Sequence, residues 1–439
     1  MINRKKVIVI GAGAGGMMAA GRAAESGAEV LLLEKTERPG KKILISGNGR
    51  CNLSNTCDLE SFINQYGVNG RFLSNVFSRF FRDELLAFLK RYGVETIVKY
   101  GGKIYPASEN AREIVRVFLS YLEETGVTLQ PDTQVNHILV KGGKVAGVQT
   151  LTEVYPCAAV ILATGGASHP QTGSTGDGYR IAKELGHTII KLRPGLVPLM
   201  VEEVELAKSM MGSSLRNVRL TAFQGRAGEI EPELVPAQNS GRGISGRKPK
   251  PPVIESRTGD AIITHFGLSG PIALEMSLAI IDALEKGPVS ISIDLKPEIS
   301  KTRLAAQLQH DFNLHSKRTY QTIMKSYLSH KMIEPIIALS GIPGDKTANQ
   351  IKTEERDRIA ALLKSLRFNI SGPYSMSTAM VTAGGLALEQ IDPKTMESKI
   401  VKGLYFCGEV MDIDAITGGY NLQAAFSTGW VAGEEAAGD

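Results

Sequence analysis

A glycine-rich turn near the N-terminus is the first feature of the sequence that predicts chemistry. It reads GAGAGG and places Gly11, Gly13 and Gly16 in the spacing GxGxxG, between an apolar β-branched run and an alanine-rich segment. The first glycine permits a tight turn, the second lets the backbone approach a pyrophosphate, and the third allows close packing of helix on strand. Ala14 lies in the first helical turn, whose free N–H groups attract phosphate. The turn therefore predicts a dinucleotide site.

An acidic residue follows at the distance that such a site requires. Glu34 lies 23 residues after Gly11, at the end of a second apolar strand. A carboxylate at this position accepts hydrogen bonds from the adenosine ribose hydroxyls, and its charge disfavours a 2′-phosphate. Strand, turn, helix and terminal acid together predict a βαβ unit of the Rossmann type.

Further glycine-rich segments have the composition of loops that contact a cofactor. Residues 40–55 read GKKILISGNGRCNLSN, in which no Ser or Thr follows Gly-Lys, so the segment is not a P-loop. ATGG at 163–166 ends another apolar strand, GE at 408–409 follows a late strand, and GGYNLQ at 418–423 opens a helix. Because FAD has a ribitol and an isoalloxazine to position, so long a footprint favours FAD over NAD.

The chain contains one dinucleotide fingerprint, since its other Gly-Gly pairs lack the strand–turn–helix context. A separate NAD(P)H domain is therefore not expected, and NAD(P)H is expected to visit the flavin transiently, with hydride passing through flavin N5. The four cysteines are scattered and form no CxxC pair. Neither a disulfide framework, a zinc site nor a dithiol redox centre is expected.

Composition bounds the class of protein. The 439 residues are 43% apolar and 22% charged, as in globular proteins, and the net charge of +5 is spread among interleaved acids and bases. The densest basic stretch, Arg242–Lys250, is broken by Gly and Pro and indicates a loop, so a nucleic-acid partner is not expected. The basic and apolar start of the chain mimics a signal peptide, but its glycines fit the nucleotide turn instead. A cytoplasmic enzyme without a membrane span is predicted.

Alternating strands and helices predict an α/β fold that is interrupted by an insertion. We expect an FAD-binding domain from 1–193 and 368–439, because a strand, a Gly-Glu pair and a helix return only at the end of the chain. Short strands broken by Gly and Pro suggest a β-rich insert from 194–300 and 335–367, with a helical part at 301–334. Helices are predicted at 13–26, 75–92, 110–125, 302–312, 317–330, 353–366 and 421–437, with a hairpin turning at Gly142–Gly143.

The sequence resembles the BaiN-like (also called YhiN-type) family of NAD(P)/FAD-dependent oxidoreductases over essentially its full length. The resemblance rests on several motifs together, which are more specific than any single glycine turn. These motifs are GAGAGG at 11–16, GKKILISGNGRCNLSN at 40–55, ATGGASHPQTGSTGDGY at 163–179, THFGLSGP at 264–271, VTAGGL at 381–386, TMESK at 395–399 and GLYFCGEVMDIDAITGGYNLQAAFSTG at 403–429.

The resemblance implies a flavin domain of the two-dinucleotide-binding type, an inserted β-barrel-like plus helical unit, and non-covalent FAD. It assigns the ADP half to the glycine turn and Glu34, adenine to the backbone of Val135, ribitol to Glu409, and the flavin O2 edge to the helix at 421–423. The expected cofactor-binding residues are Gly11, Gly13, Ala14, Gly16, Glu34, Lys35, Lys42, Ser46, Gly47, Arg50, Cys51, Asn52, Val135, Thr164, Gly165, Gly408, Glu409, Gly419, Asn421, Leu422 and Gln423. The sequence departs from the family pattern at Cys407, where a small residue is expected, and at an expanded loop, Pro236–Pro252.

The leading functional hypothesis is an FAD-dependent oxidoreductase that passes hydride from NAD(P)H to a small, enone-like substrate. A tRNA-modifying flavoprotein and a non-enzymatic flavin-binding sensor remain alternatives. No catalytic residue is assigned, and the substrate, the choice of NADH or NADPH and the oligomeric state stay open. The candidates for a proton donor or substrate clamp, each with a structural interpretation as well, are Arg50, Asn52, His169, His265, Thr382 and Tyr420.

Overall fold

The computed structural model describes residues 4–230 and 252–438. The chain divides into two compact units, the first Met1–Pro194 with Met376–Asp439 and the second Gly195–Ser375. The basic stretch Arg242–Lys250, and the expanded loop apart from Pro252, lie outside the described residues.

The secondary structure elements are numbered here in chain order. The strands are β1 (Lys6–Ile10), β2 (Glu29–Leu33), β3 (Ser54–Asn55), β4 (Thr96–Lys99), β5 (Lys103–Pro106), β6 (Thr128–Gln130), β7 (Val135–Lys141), β8 (Lys144–Thr150), β9 (Val154–Pro156), β10 (Ala159–Leu162), β11 (Ile189–Gly195), β12 (Leu199–Val201), β13 (Ser214–Gln224), β14 (Val253–Ile263), β15 (Gly267–Ser269), β16 (Val289–Asp294), β17 (Leu366–Pro373), β18 (Val381–Leu386) and β19 (Leu404–Phe406). The helices are α1 (Ala14–Glu25), α2 (Lys41–Ile45), α3 (Leu59–Asn64), α4 (Ser74–Arg79), α5 (Arg82–Arg91), α6 (Ala111–Thr125), α7 (Asp177–Glu184), α8 (Val204–Ser209), α9 (Pro271–Leu284), α10 (Lys301–Leu314), α11 (Tyr320–Met324), α12 (His330–Ser340), α13 (Thr353–Lys364) and α14 (Tyr420–Ala437).

A parallel sheet organises the first unit. Its strand order is β19-β10-β1-β2-β6, and every neighbouring pair is parallel. β10 is buried along its whole length, and β1 is buried apart from its first residue, as expected of strands covered on both faces. The predicted α/β fold is confirmed, including the late strand β19, which joins β10 from the far end of the sequence.

Small residues let α14 lie directly against α1. A Cβ atom on Gly429 would stand 2.3 Å from the carbonyl oxygen of Gly15, and one on Gly433 would stand 2.3 Å from that of Ala19. Since no side chain fits between the two backbones, the terminal helix is held close to the helix that follows the glycine turn.

Smaller sheets complete this unit. The predicted hairpin is confirmed as β7 and β8, which pair antiparallel and are extended by β9. The order β3-β5-β4 forms a second three-stranded sheet, and β11 pairs with β18.

The second unit contains a closed barrel with strand order β12-β15-β14-β13-β16-β17, so the predicted barrel-like insert is confirmed. Its hydrophobic core is shared with α8 to α13. The helical segments of this unit extend beyond residue 334, through α12 and α13. No helix among the described residues is long and apolar enough to span a membrane.

Two helices that were predicted as continuous are interrupted in the structure. The helix expected at 75–92 is broken between α4 and α5, where Phe80 (φ −151°, ψ 103°) and Phe81 (φ −120°, ψ −153°) are extended. Their rings pack on Trp430 and Phe62 at centroid distances of 4.5 and 4.9 Å, so tertiary packing overrides helix propensity. The helix expected at 317–330 is only the short α11, because Ser329 is extended and begins α12.

Candidate functional site

The predicted cofactor segments meet at one edge of the parallel sheet. Gly11 follows β1, Glu34 follows β2, Ala163 follows β10 and Gly408 comes shortly after β19. Gly11 N–H donates to Leu33 O at 2.8 Å, and a Cβ on Gly11 would lie 2.7 Å from Ala163 O. The carboxyl edge of an open parallel sheet is where ligands bind in such folds.

The three glycines of the turn meet three different environments. Gly11 has φ +99°, and a Cβ on Gly16 would stand 1.8 Å from Gly11 O, so both are required by the protein's own backbone. A Cβ on Gly13 would meet nothing within 4 Å. Gly13 is also the N-cap of α1 and provides no side-chain cap. The space at Gly13 and the uncapped helix end fit a pyrophosphate.

Glu34 is only 8% exposed and is held by backbone donors. Its Oε2 accepts from Ala12 N–H at 2.7 Å and its Oε1 from Thr36 N–H at 2.9 Å. Each carboxylate oxygen has about two acceptor positions, so each keeps one for a ribose hydroxyl. Thr133 N–H donates to Glu34 O at 2.8 Å, which fixes the segment leading to the buried Val135.

Lys35 is engaged by the chain itself. Its Nζ lies 2.7 Å from Asp177 Oδ2 and also donates to Thr175 Oγ1. The side chain therefore bridges the end of β2 to the start of α7, and its charge is balanced by Asp177.

Lys42 and Glu409, which are far apart in sequence, form an ion pair. Lys42 Nζ lies 2.6 Å from Glu409 Oε2 and donates to Ser168 Oγ at 2.7 Å. Glu409 Oε1 accepts from Thr382 N–H at 2.8 Å and from Ser168 Oγ at 3.2 Å. Thr382 Oγ1 accepts in turn from the N–H groups of Ala167 and Ser168, at 2.9 and 3.1 Å. The carboxylate assigned to ribitol is thus oriented by three donors.

Ser168 was missed by the sequence reasoning, although it lies inside the motif ATGGASHP. It is fully buried and connects Lys42, Glu409 and Thr382. Its position a few residues after a buried strand was the only signal, and that signal does not reveal its partners.

In the loop at 40–55, Cys51 is buried and has φ +61°. Burial raises the pKa of the Cys51 thiol to about 12, so the thiol stays protonated. Ser46 Oγ donates to Ile43 O at 2.7 Å, and Gly47 has φ +56°. The loop is therefore held by backbone conformation and hydrogen bonds, and its cysteine is buried rather than reactive.

Arg50 and Asn52 have well-defined partners in the same loop. The Arg50 guanidinium lies 5.2 Å from the ring centroid of Tyr105 and 3.5 Å from Glu109 Oε2. In the amide orientation that satisfies its hydrogen bonds, Asn52 donates to the backbone of β3 and β5 and accepts from Gly419 N–H at 2.9 Å. Asn52 therefore ties this loop to the start of α14.

The first turn of α14 turns its polar side chains inward. Asn421 accepts from Ala415 N–H at 2.9 Å and donates to Ala415 O at 2.8 Å, so its side chain closes the preceding loop. Gln423 is fully buried and donates to Ser427 Oγ at 3.0 Å, while Leu422 is partly buried. Gly419, with φ +92°, gives no side-chain cap, so the backbone N–H groups of this helix end are what it presents.

Two other features belong to this region. Gly408 (φ +73°) donates its N–H to Thr428 Oγ1 at 3.0 Å, which joins the end of β19 to α14. Thr164 Oγ1, beside Gly165, and Gln423 Oε1 are buried without a hydrogen-bond partner in the described part of the chain. Unpaired buried oxygens are costly, so polar groups of a ligand would be favoured here.

The remaining donor candidates each have contacts of their own. His169 has φ +53°, and burial, together with Lys42, lowers its pKa below the ordinary value. The Tyr420 ring packs on Phe62 at 4.7 Å. His265 belongs to the second unit and contacts Phe266. No described cluster of three or more His, Cys, Asp or Glu could hold a metal ion.

A Rossmann sheet with a glycine turn, a free helix end and an acceptor for ribose defines the class as a dinucleotide-binding flavoprotein fold. The match to the family model "HI0933-like protein Rossmann domain" covers residues 5–435. The chain belongs to this family of FAD-dependent oxidoreductases, and the resemblance to BaiN-like and YhiN-type proteins is confirmed.

Three curated relatives match over nearly their whole length. One is "3-dehydro-bile acid delta(4,6)-reductase" of Clostridium scindens, with 31% identity over 98% of this chain and 99% of that protein. Another is "Ribosomal RNA dihydrouridine synthase" of Escherichia coli, with 29% identity over 99% of this chain and 98% of that protein. A protein of the same name from Haemophilus influenzae has 29% identity and 96% coverage of both chains.

Solved structures support the fold alone. A flavocytochrome c3 fumarate reductase in an open conformation gives a TM-score of 0.51 with 17% identity, covering 99% of this chain and 78% of that chain. The 3-ketosteroid-delta4-(5alpha)-dehydrogenase of Rhodococcus jostii RHA1 gives a TM-score of 0.50 with 15% identity, covering 99% and 97%.

Proposed function

We propose that this protein is an FAD-dependent reductase that takes electrons from NADH or NADPH and saturates a carbon–carbon double bond conjugated to a carbonyl. The observation that carries the proposal is the cradle at Gly13. Space for a ligand, an uncapped helix N-terminus and the spare acceptor positions of Glu34 occur together there.

The chain's own residues would hold the cofactor at four places. The N–H groups at the start of α1 would bind the pyrophosphate, and Glu34 would accept from the ribose. The Lys42–Glu409 pair would orient the ribitol hydroxyls, and the positive end of α14 would favour negative charge on the flavin ring. When bound, FAD supplies hydride transfer through its N5 atom.

Thiol chemistry is a poor alternative for this site. Burial raises the pKa values of Cys51 and Cys407 to about 12, so neither provides a thiolate at neutral pH. Since thiolates are the reactive form of cysteine, these buried residues are suited to packing rather than to electron transfer.

The names of the relatives support this substrate class. A bile acid delta(4,6)-reductase and a dihydrouridine synthase are each named for adding hydrogen across carbon–carbon double bonds. In an enone and in uracil such a bond is polarised by a conjugated carbonyl, so hydride adds to the β-carbon and a proton to the α-carbon. A small enone such as a 3-oxo-4-ene steroid is the first substrate to test.

A second candidate is the reduction of uridine within ribosomal RNA. It is favoured by two relatives of that name, which match this chain almost as closely as the bile acid reductase does. The tRNA alternative has no such support, because neither name mentions tRNA.

The test is anaerobic reduction of the purified holoprotein. We expect NADH or NADPH to bleach the flavin absorbance, and a 3-oxo-4-ene steroid or a uridine-containing RNA to restore it with formation of the saturated product. Bleaching without reoxidation by either acceptor would reject the substrate class. Flavin that no nicotinamide reduces would reject the donor and favour a flavin-binding sensor.

A further inference from the structure

The second unit carries a segment in which positive charge is concentrated. Residues 301–334, called the basic segment here, contain six Lys and Arg residues against two acids, together with three of the chain's seven histidines. Their net charge of +4 compares with +5 for all 439 residues. The segment comprises α10, α11 and the start of α12.

Four cations of the basic segment have no hydrogen-bonding or charged partner in the part of the chain that the structure describes. Arg303, Lys317, Arg318 and Lys325 are exposed, and within the described residues their side chains form no ion pair or hydrogen bond. Other cations of the same unit are neutralised, as where Lys346 Nζ lies 2.7 Å from Glu355. Like charges left together repel one another, and a bound anion relieves that repulsion.

Two of these cations share a surface depression. Arg318 and Lys325 line it together with His315, Thr322, Ser326 and Asp311, and its volume is about 550 Å³. The Asp311 carboxylate accepts from Tyr327 Oη, so a neighbouring hydroxyl partly satisfies the single acid in it. Cations beside hydroxyls and an imidazole are the donors that bind phosphate oxygens.

We propose that the basic segment binds the phosphate backbone of RNA. This inference rests on the second candidate of the proposed function, the reduction of uridine within RNA, and deepens it by naming the surface that would bind the RNA. A membrane surface fits less well, since an interfacial helix needs an apolar face for the lipid. The apolar side of α10, formed by Leu304, Leu308 and Phe312, is buried in the core of the unit.

The test is RNA binding by the full-length holoprotein, measured by fluorescence anisotropy with a labelled 30-nucleotide single-stranded RNA at 50–200 mM salt. Replacing Lys317, Arg318 and Lys325 together by Ala removes three phosphate contacts, so the salt exponent should fall by about 2. The factor by which raising the salt from 50 to 200 mM weakens RNA binding should then be about 20-fold smaller than in the wild type. The matched control replaces Lys90, Lys141 and Lys286, which are exposed elsewhere, by Ala.

An unchanged exponent in the triple variant, or an equal fall in the control, would overturn the proposal. Binding to phosphatidylglycerol vesicles without binding to RNA would overturn it as well. Flavin content and reduction by nicotinamide are measured on the same samples. If the flavin is reduced normally while RNA is not bound, the RNA inference fails and the proposed reductase stands. If RNA is bound while no nicotinamide reduces the flavin, the proposed reductase fails and the RNA-binding surface stands.

Discussion

Replacing Gly13 by Ala should weaken FAD binding while leaving the fold intact. The backbone of Gly13 is extended (φ −84°, ψ −167°), a conformation that alanine adopts, and a Cβ there meets no atom within 4 Å. Because Ala is a poorer N-cap than Gly, the free energy of unfolding of the apoprotein should fall by no more than about 1 kcal/mol.

The expected loss of FAD affinity depends on the pyrophosphate filling the open space beside Gly13. If the pyrophosphate occupies it, the new methyl group pushes a phosphate away from the N–H groups of α1. A hydrogen bond to a charged group contributes about 1.5–3 kcal/mol, and each 1.4 kcal/mol is tenfold in affinity. We therefore expect FAD to bind about 10- to 150-fold more weakly.

The assay is FAD titration of the apoprotein, followed by flavin fluorescence, with thermal unfolding measured in parallel. Gly228→Ala is the neutral control, because a Cβ at Gly228 also meets nothing within 4 Å and the residue lies in the second unit. Gly16→Ala is the disruptive control, because its Cβ would stand 1.8 Å from Gly11 O and should destabilise the fold. A folded Gly13→Ala protein that binds FAD as tightly as the wild type would refute the reasoning.

Three further predictions concern the same region. Glu34→Gln should weaken FAD binding about 10-fold or more, since an amide NH2 replaces one of the two oxygens that would accept from a ribose hydroxyl; unchanged titration curves would contradict the role of Glu34. In a double-mutant cycle with Lys42→Met and Glu409→Gln, unfolding free energies should show a coupling of about 0.5–3 kcal/mol, and strict additivity would mean that the pair is not energetically linked. At pH 8.5, iodoacetamide should modify the partly exposed Cys57 and leave Cys51 unmodified, because a pKa of about 12 leaves only about one thiol in three thousand ionised; peptide mass spectrometry showing equal labelling would refute this.

The parts of the site that one short segment encodes could be predicted from the sequence. The glycine turn and Glu34 lie within a single βαβ unit, so local spacing already fixes their relation. Strand β19 and helix α14 could be placed as well, because their glycine and acid signature repeats the logic of the first turn.

The parts that depend on distant partners could not be predicted. Ser168 acquires its role from Lys42 and Glu409, which lie in separate stretches of chain and meet only when the sheet has formed. The Asn421 side chain holds the backbone of Ala415, a choice of partner that no spacing rule expresses, and its expected place at the flavin edge stays a prediction. The break at Phe80–Phe81 is likewise decided by aromatic packing rather than by propensity.

The order of the parallel sheet has a consequence for biosynthesis. Strand β10 cannot pair with β19 until β19 has been synthesised, and their paired residues Leu162 and Phe406 are 244 positions apart. At translation rates of roughly 5–20 residues per second, the edge of β10 stays open on the nascent chain for roughly 12–50 s. Exposed strand edges recruit other strands. A ribosome-bound chain that has already formed its glycine turn therefore still exposes an unpaired strand edge until β19 has been synthesised.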